Sequence, residues 1–504
     1  MILRIFVILS FCSSSMLTAQ DSERVTPVIL QGMEMVYDLD FPKADSVFDA
    51  VIQMNPKHPQ GYYFKASSYF YQIISGFSSD TSEEQFMQLN RKAIAIAEEY
   101  ENIDPIASDF YKGTVYGNIA RYHAMEGNFI KAFFYAKKSK SLHESIIEHH
   151  PNYYDAYLTV GVYNYYAAAM PRWIDVVAGL LGLGGDRALG IRQLEIANEK
   201  GALASIEAKF FLANVYFEEG DYERSLQCNR ALSVRFSRNP FLYNQLGLIY
   251  FSMEDFREAE RCFIKAASTA NIYSLSSKMF ADYFLGRISK LKNDYPAALN
   301  FLLEACDIGK NRKLFKSIDA WIVGAAYYQA GEVMELAGKR SEAVGYYELA
   351  KNHEYAGKPT VQASENRLKY GLSEFEIEVM RARHTILFGS IDEGRKSMLA
   401  LKPRAGRGEE KFLSQINFYL GRAELADSNY QKSKSYFLEA LRVQSSDGDQ
   451  KWREPQTHFY LGLCYVRLKE KNEAGIELKK VLDHDDYFEA ARFKFLANKM
   501  LQTL

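Results

Sequence analysis

The 504 residues could fill several ordinary domains, but the composition shows no shift of the kind that usually marks a domain boundary. With 48% hydrophobic and 25% charged residues the chain lies near the globular average, which argues against extended disorder and a polytopic membrane protein. The formal net charge is only −2, so no global positive field attracts nucleic acid or an anionic membrane surface. One long repetitive array is compatible with these values, and no nucleic-acid partner is expected.

The N-terminal segment has the pattern of a secretory signal peptide, residues 1–19. Arg4 precedes an apolar run over 5–11, and small or polar residues continue to Ala19, where cleavage is expected. The run is too short to span a bilayer comfortably, which takes roughly 20 apolar residues. We therefore expect an exported protein, periplasmic or associated with the cell envelope. An uncleaved anchor is one alternative, and a lipoprotein at Cys12 is another that the neighbouring Phe side chain disfavours.

Residues 241–270 contain the clearest copy of a repeated helical hairpin. In its first half a large, a small and an aromatic residue recur on one helix face, and in its second half two alanines flank an aromatic residue on another face. Two such apolar stripes can pack together as antiparallel helices joined by a short turn. The residues that carry this pattern are Leu246, Gly247, Tyr250, Ala259, Phe263 and Ala266.

The same pattern recurs along the chain and predicts about eleven hairpin units within residues 20–504. The small residue of the first helix is predicted at Gly32, Ala66, Ala120, Gly161, Ala213, Gly247, Gly286, Gly331, Ala382, Gly421 and Gly462. The small residue of the second helix follows twelve positions later at Ala44, Ala132, Ser225, Ala259, Ala298, Ala343, Gly394, Ser433 and Ala474.

Two units depart from this offset and indicate insertions near 75–90 and 167–189. The stretch 487–504 is predicted to be a final capping helix, because an end unit would otherwise expose its apolar face. The long spacing between Gly331 and Ala382 leaves open whether that region holds an irregular unit or a hinge.

These markers resemble the tetratricopeptide-repeat (TPR) family over most of residues 25–504. The resemblance implies an all-α fold, a right-handed solenoid of antiparallel helix pairs that binds proteins and carries out no catalysis. The segment 161–197 also resembles a eukaryotic TPR family linked to clearance of lipid-associated inclusion bodies. The residues of that second resemblance are Gly161, Asn164, Tyr165, Pro171, Gly185, Asp186, Arg187 and Gly190.

In the register of the family, the first helices line a concave groove that would bind a protein or peptide partner. The predicted groove residues are aromatic, with amides and one arginine among them, and such side chains suit peptide recognition. The alternative is that several of these aromatics pack between helices. The predicted partner-binding residues are Tyr165, Phe210, Asn214, Phe217, Phe241, Asn244, Phe251, Tyr283 and Arg287.

Other candidate sites lack the residues that their chemistry requires. The glycine-rich run before Arg187 has no Lys-Ser/Thr ending for a phosphate loop. The cluster His143-Glu144…Glu148-His149-His150 has Ile147 where a zincin has its second histidine, and is read as a solvated helix end. No catalytic residue, metal site or cofactor is predicted, so the protein is not expected to be an enzyme.

The apolar stretch Trp173–Leu183 is a candidate for membrane contact. The favoured interpretation is that it packs against the solenoid, because about ten apolar residues at 174–183 cannot span a bilayer. The leading hypothesis is an exported scaffold that binds a protein or peptide in its groove. The alternatives are a structural subunit of a cell-envelope assembly and a peripheral membrane protein docked through 174–183.

Overall fold

A computed structural model describes residues 25–76, 80–168, 184–310, 320–406, 409–443, 450–484 and 489–504. All regular structure in these ranges is helical. None of the described helices combines the length and the apolar character needed to cross a membrane. The predicted signal peptide 1–19 and the apolar stretch 174–183 lie outside the described residues.

The helices of the first half of the chain alternate between first and second members of a hairpin. They are α1 (25–37), α2 (Phe41–Met54), α3 (Gln60–Ile74), α4 (Asp80–Tyr100), α5 (Pro105–Met125), α6 (Phe129–His149), α7 (Ala156–Ala167), α8 (Arg187–Lys200), α9 (Ser205–Glu218), α10 (Tyr222–Arg235), α11 (Pro240–Ser252) and α12 (Phe256–Thr269).

The second half continues the alternation, with one additional helix, α17, and a terminal helix, α24. Its helices are α13 (Leu275–Leu291), α14 (Tyr295–Lys310), α15 (Trp321–Leu336), α16 (Arg340–Asn352), α17 (Lys358–Lys369), α18 (Glu374–Phe388), α19 (Ile391–Ala405), α20 (Leu413–Ala426), α21 (Tyr430–Arg442), α22 (Gln450–Arg467), α23 (Lys471–Leu482) and α24 (Ala490–Leu501).

Each of the eleven predicted small residues of a first helix lies in its own helix, so the described chain contains eleven hairpins. Where the small residue is glycine, in every unit except that of Gly161, the side chain sixteen residues further on packs against it. A Cβ on Gly247 would lie 2.7 Å from Cε1 of Phe263, and one on Gly331 would lie 2.5 Å from Cε1 of Tyr347. Because both rings are buried, the first helix must have a small residue at this position for the two helices to approach.

The turn inside a hairpin has the same geometry in eight of the eleven units. A residue seven positions after the small residue has positive φ, as in Glu254 (62°), and this residue is not always glycine. The next residue, Asp255, donates its N–H to the carbonyl of Tyr250, and its carboxylate accepts from the N–H of Glu258. One short turn therefore closes the first helix with a Schellman motif and caps the second helix.

The irregular units also have a structural explanation. The unit of Gly161 uses α8 as its second helix, and a Cβ on Gly161 would lie 3.0 Å from the carbonyl oxygen of Gly190. The spacing between Gly331 and Ala382 accommodates α17, an additional helix that packs on α16. At the C-terminus, α24 covers α23 through Phe493 and Ala497, which are buried.

The array folds back on itself, and both of its ends contact the central hairpins. The side chain of Asn239 donates to the carbonyl of Tyr37 at 2.7 Å, and the hydroxyl of Ser276 donates to the carbonyl of Ser75 at 2.7 Å. From the other end, Arg492 donates to the carbonyl of Ser252. Residues about 200 to 240 positions apart are thus in contact.

Candidate functional site

A cavity of about 140 Å³ lies at the inner face of the N-terminal half. The first helices of five hairpins, α1, α3, α5, α7 and α9, contribute side chains to its wall. The residues just before α7 and α9 and part of α6 complete the wall. Its walls are largely apolar, through Tyr37, Phe110, Val162 and Phe211 among others. A concave apolar space with few polar groups is the usual form of a binding site in a protein of this size.

Two charged side chains at the edge of the cavity form an ion pair with each other. Arg121 in α5 forms an ion pair with Glu207 in α9, with 2.5 Å between Nη1 and Oε1. The guanidinium of Arg121 also lies over the rings of Phe70 and Phe211, at 4.7 and 5.2 Å from their centroids. This ion pair joins two hairpins that are 86 residues apart and fixes one edge of the cavity.

The charge state of this edge follows from its surroundings. Burial opposes the charge of Arg121, but the carboxylate of Glu207 and the hydroxyl of Tyr71 outweigh that effect and raise the pKa of Arg121. Burial raises the pKa of Tyr37, Tyr63 and Tyr71. At neutral pH the hydroxyl groups of Tyr37 and Tyr63 in the lining are therefore neutral, beside the ion pair of Arg121 with Glu207.

Other contacts set the shape of the cavity. Asn118 donates to Oγ of Ser67 at 2.9 Å and so joins α5 to α3. The carboxylate of Asp155 accepts from the backbone N–H groups of Leu203 and Ala204, both at 2.9 Å, and so joins the start of α7 to the start of α9. These bonds fix α5 to α3 and α7 to α9 at the wall of the cavity.

The predicted groove residues lie elsewhere, and the chain itself covers several of them. Tyr165, Asn244, Phe251 and Tyr283 are buried. Tyr165 donates to Glu219, and Asn244 donates to Oγ of Ser277 at 2.7 Å. These four side chains are held inside the fold and could reach a partner only after a rearrangement of their helices.

The remaining predicted residues are partly accessible. Phe210 packs on Tyr37, with 5.3 Å between ring centroids, and Phe241 packs in the same cluster. Phe217 stacks on Tyr222 at 5.0 Å. Asn214 is exposed and accepts from Gln245. The remaining residue, Arg287, lies 4.6 Å from the ring centroid of Phe251.

The cavity residues were not found from the sequence, although the register contains a signal for one of them. Arg121 follows Ala120 at once, as Asn214 follows Ala213 and Arg287 follows Gly286. The predicted groove included the second and third of these positions and omitted the first. The convergence of α1 and α9 on the cavity has no signal in the sequence.

The histidine cluster at the end of α6 is only partly solvated. His143 is fully buried, a Cβ on Gly113 would lie 2.6 Å from its ring, and burial lowers its pKa to about 4. The expectation of a solvated helix end is therefore wrong for His143, whereas Glu144, His149 and His150 are exposed. In the glycine-rich run, Asp186 caps α8 by accepting from the N–H of Leu189 at 2.9 Å.

A family model described as tetratricopeptide repeat matches residues 242–272. No curated protein matches the sequence. Similar solved structures include yeast Tom70, with 12% identity over 89% of this chain and 90% of that chain and a TM-score of 0.34.

Two further solved structures are similar to this chain. NprR in complex with its cognate peptide NprX has 15% identity over 59% of this chain and 84% of that chain, with a TM-score of 0.26. The TPR domain of P58(IPK) has 12% identity over 89% of this chain and 99% of that chain, with a TM-score of 0.21. At these TM-scores the alignments carry no argument about function. Residues 242–272 thus match a tetratricopeptide repeat, and similar helical hairpins recur on both sides of them.

Proposed function

We propose that this protein is an exported scaffold that binds a protein partner at the inner face of its N-terminal half. In this proposal one large apolar side chain of the partner occupies the cavity between α1, α5 and α9. The observation that carries the proposal is the cavity itself, about 140 Å³ in volume, at the point where five first helices converge.

The size and the lining of the cavity support this kind of ligand. An apolar cavity of about 150 Å³ accommodates a benzene-sized group, so this one would accept a single aromatic or branched aliphatic side chain. Thr114, Asn118 and Thr159 belong to its lining and offer hydroxyl and amide groups to the backbone of an extended segment. Buried apolar anchors with a few polar contacts around them supply most of the binding energy in protein interfaces.

The test is to fill the cavity without disturbing the fold. Val162 lines the cavity and is partly accessible, so Val162→Trp would occupy the space meant for the partner. The matched control is Val234→Trp on α10, because Val234 is 83% exposed and lies outside the cavity. Circular dichroism and thermal melting of both variants check that the helices remain folded.

The readout is crosslinking and affinity capture of the tagged protein from its native cells, followed by mass spectrometry. A partner that is captured by the native chain and by Val234→Trp, but lost by at least tenfold with Val162→Trp, supports the cavity as the binding site. Equal capture by both variants would overturn the proposal and would favour an assembly through the outer face or the ends of the solenoid.

Export is a separate part of the proposal and rests on the pattern of residues 1–19. N-terminal sequencing of the protein from the cell envelope fraction should find a chain that begins at Gln20. A chain that retains Met1 and remains in the cytoplasm would contradict export and would leave the binding proposal to be judged on the cavity variants alone.

A further inference from the structure

Three side chains with metal-binding chemistry meet near the C-terminus, outside the cavity. Glu454 and His458 lie four residues apart on α22, so they occupy one face of that helix. His484 follows the end of α23. One ligand atom from each of the three lies within 4.8 Å of the other two.

The imidazole of His458 is already held in a fixed orientation. Its Nδ1 lies 2.5 Å from Oε2 of Glu477, and His458 is only 7% exposed. Glu477 in turn accepts from Lys480 at 2.8 Å through its other oxygen. With the Nδ1 proton donated to this carboxylate, Nε2 keeps its lone pair for a metal, which is how an outer carboxylate usually orients a metal-binding histidine.

From this geometry we propose that Glu454, His458 and His484 bind one divalent transition-metal ion of the zinc class, with Glu477 as the positioning residue for His458. Two imidazoles and one carboxylate are a ligand set that suits Zn²⁺ and leaves a fourth position for water. The two nitrogen ligands disfavour Ca²⁺ and Mg²⁺, which prefer oxygen donors.

The distances require only a small adjustment on binding. Ligand atoms bonded to one tetrahedral zinc ion lie roughly 3.4 Å apart, given bond lengths of about 2.1 Å. Since the three ligand atoms lie within 4.8 Å of one another, they need to approach by at most about 1.4 Å. Glu454 is exposed and His484 is partly exposed, so both can move toward His458, which is fixed.

A metal at this place would join α22 to the end of α23. The chain then continues to α24, which contacts the central hairpins through Arg492 and Ser252. Glu489, beside that contact, lies 3.3 Å from the hydroxyl of Tyr222. The metal would thus brace the hairpin that carries the C-terminal contact, and its binding should raise the thermal midpoint of the protein.

The experiment uses the purified full-length chain after treatment with a chelator and dialysis. Titration calorimetry with ZnCl₂ should show one equivalent bound, and Co²⁺ should give the visible absorption of a coordinated ion. The variants His484→Ala and Glu454→Gln should each weaken Zn²⁺ binding at least tenfold. Both groups have accessible side chains, so their replacement should leave the helices intact.

The matched control is His150→Ala, because His150 is an exposed histidine at the end of α6. It should bind Zn²⁺ as the native chain does. Glu477→Gln tests the positioning role, and roughly 10- to 100-fold weaker binding is expected if Glu477 orients His458. The Glu477→Gln variant should still bind one Zn²⁺ ion per chain.

Two results would overturn the proposal. One is the absence of Zn²⁺ binding by a folded native chain, which would make the contact of His458 with Glu477 a purely structural ion pair. The other is Zn²⁺ binding that persists unchanged in the His484→Ala and Glu454→Gln variants, which would place the ion at another group. Neither result bears on the partner-binding cavity, since the two sites share no residue.

Discussion

The first helices follow the same repeat register in both halves of the solenoid, but their side chains pack differently in the two halves. In the N-terminal half, the first helices leave a cavity of about 140 Å³ with the Arg121–Glu207 ion pair at its edge. In the C-terminal half, Lys290 of α13 and Glu332 of α15 are both buried and join two first helices through a contact of 2.8 Å. One repeat register therefore leaves a cavity between first helices in one half and joins first helices through a buried ion pair in the other.

The largest expected effect comes from breaking the packed ion pair. Lys290 and Glu332 are each 8% exposed, so Glu332→Ala leaves a buried ammonium without its carboxylate. We expect a loss of about 3–5 kcal/mol in the free energy of unfolding of that region. Hydrogen exchange of the amides of α15, read by mass spectrometry, measures it locally.

Glu207→Ala is the matched change in the N-terminal half. Arg121 retains 29% of its side-chain exposure beside the cavity, so water can replace part of the lost contact, and we expect a loss of about 1–3 kcal/mol. The exposed pair of Lys339 with Glu342 serves as a surface control. Equal losses from Glu332→Ala and Glu207→Ala would contradict the distinction between the two halves.

The next prediction compares the replacement of one glycine by alanine in the packed half with the same replacement in the half that contains the cavity. Gly331→Ala forces a methyl group against the buried ring of Tyr347 and should destabilise the fold by about 1–3 kcal/mol. Gly117 lines the cavity, and a Cβ there would lie no closer than 3.2 Å to Oγ of Ser139. Gly117→Ala should therefore destabilise the protein less than Gly331→Ala in thermal denaturation, because Ser139 must shift by only a few tenths of an ångström. A destabilisation by Gly117→Ala as large as that by Gly331→Ala would show that both halves are equally tight.

Acidification should test the buried histidines of both halves. Burial lowers the pKa of His143 to about 4, whereas an unfolded histidine titrates near pH 6.5. As the pH falls from 6.5 toward 4, the unfolded state binds a proton that the folded state does not bind, so stability falls. By pH 5 this loss amounts to about 2 kcal/mol for His143.

The change His143→Leu should remove that part of the pH dependence, measured as the difference in urea midpoint between pH 7.5 and pH 5. His149→Gln, an exposed change on the same helix, is the control. In the C-terminal half, burial lowers the pKa of His384 well below its usual range, and Arg383 and Lys290 lower it further. An unchanged pH dependence in His143→Leu would contradict the burial of a neutral imidazole in α6.

The smallest expected effect concerns the hairpin turns. Ser428 is exposed and has φ of 61°, a conformation that glycine adopts without strain. Ser428→Gly should stabilise its hairpin by about 0.5–1 kcal/mol in thermal denaturation. Leu39 has the same conformation in the N-terminal half but is buried, so Leu39→Gly should destabilise through lost burial. If Ser428→Gly lowered the stability, the positive φ of Ser428 would not be a source of strain in the native protein.

The sequence by itself determined the local repeat. The small residues at Gly247 and Ala259, twelve positions apart, and the turn at Glu254 between them follow from contacts within about 30 residues of chain. Such contacts leave a periodic pattern, because each hairpin must bury the same face against the same neighbour. The additional helix α17 was harder to predict, because the only sign of it was the long spacing between Gly331 and Ala382.

Only the tertiary structure decided where the site lies. Small rotations between successive hairpins accumulate over many units, and they bring Tyr37 to Phe210 and α24 to α11. That closure brings Tyr37 of α1 into the lining of the cavity beside Arg121. No periodic pattern records a contact made 200 residues away, because each unit contributes only a small angle to it.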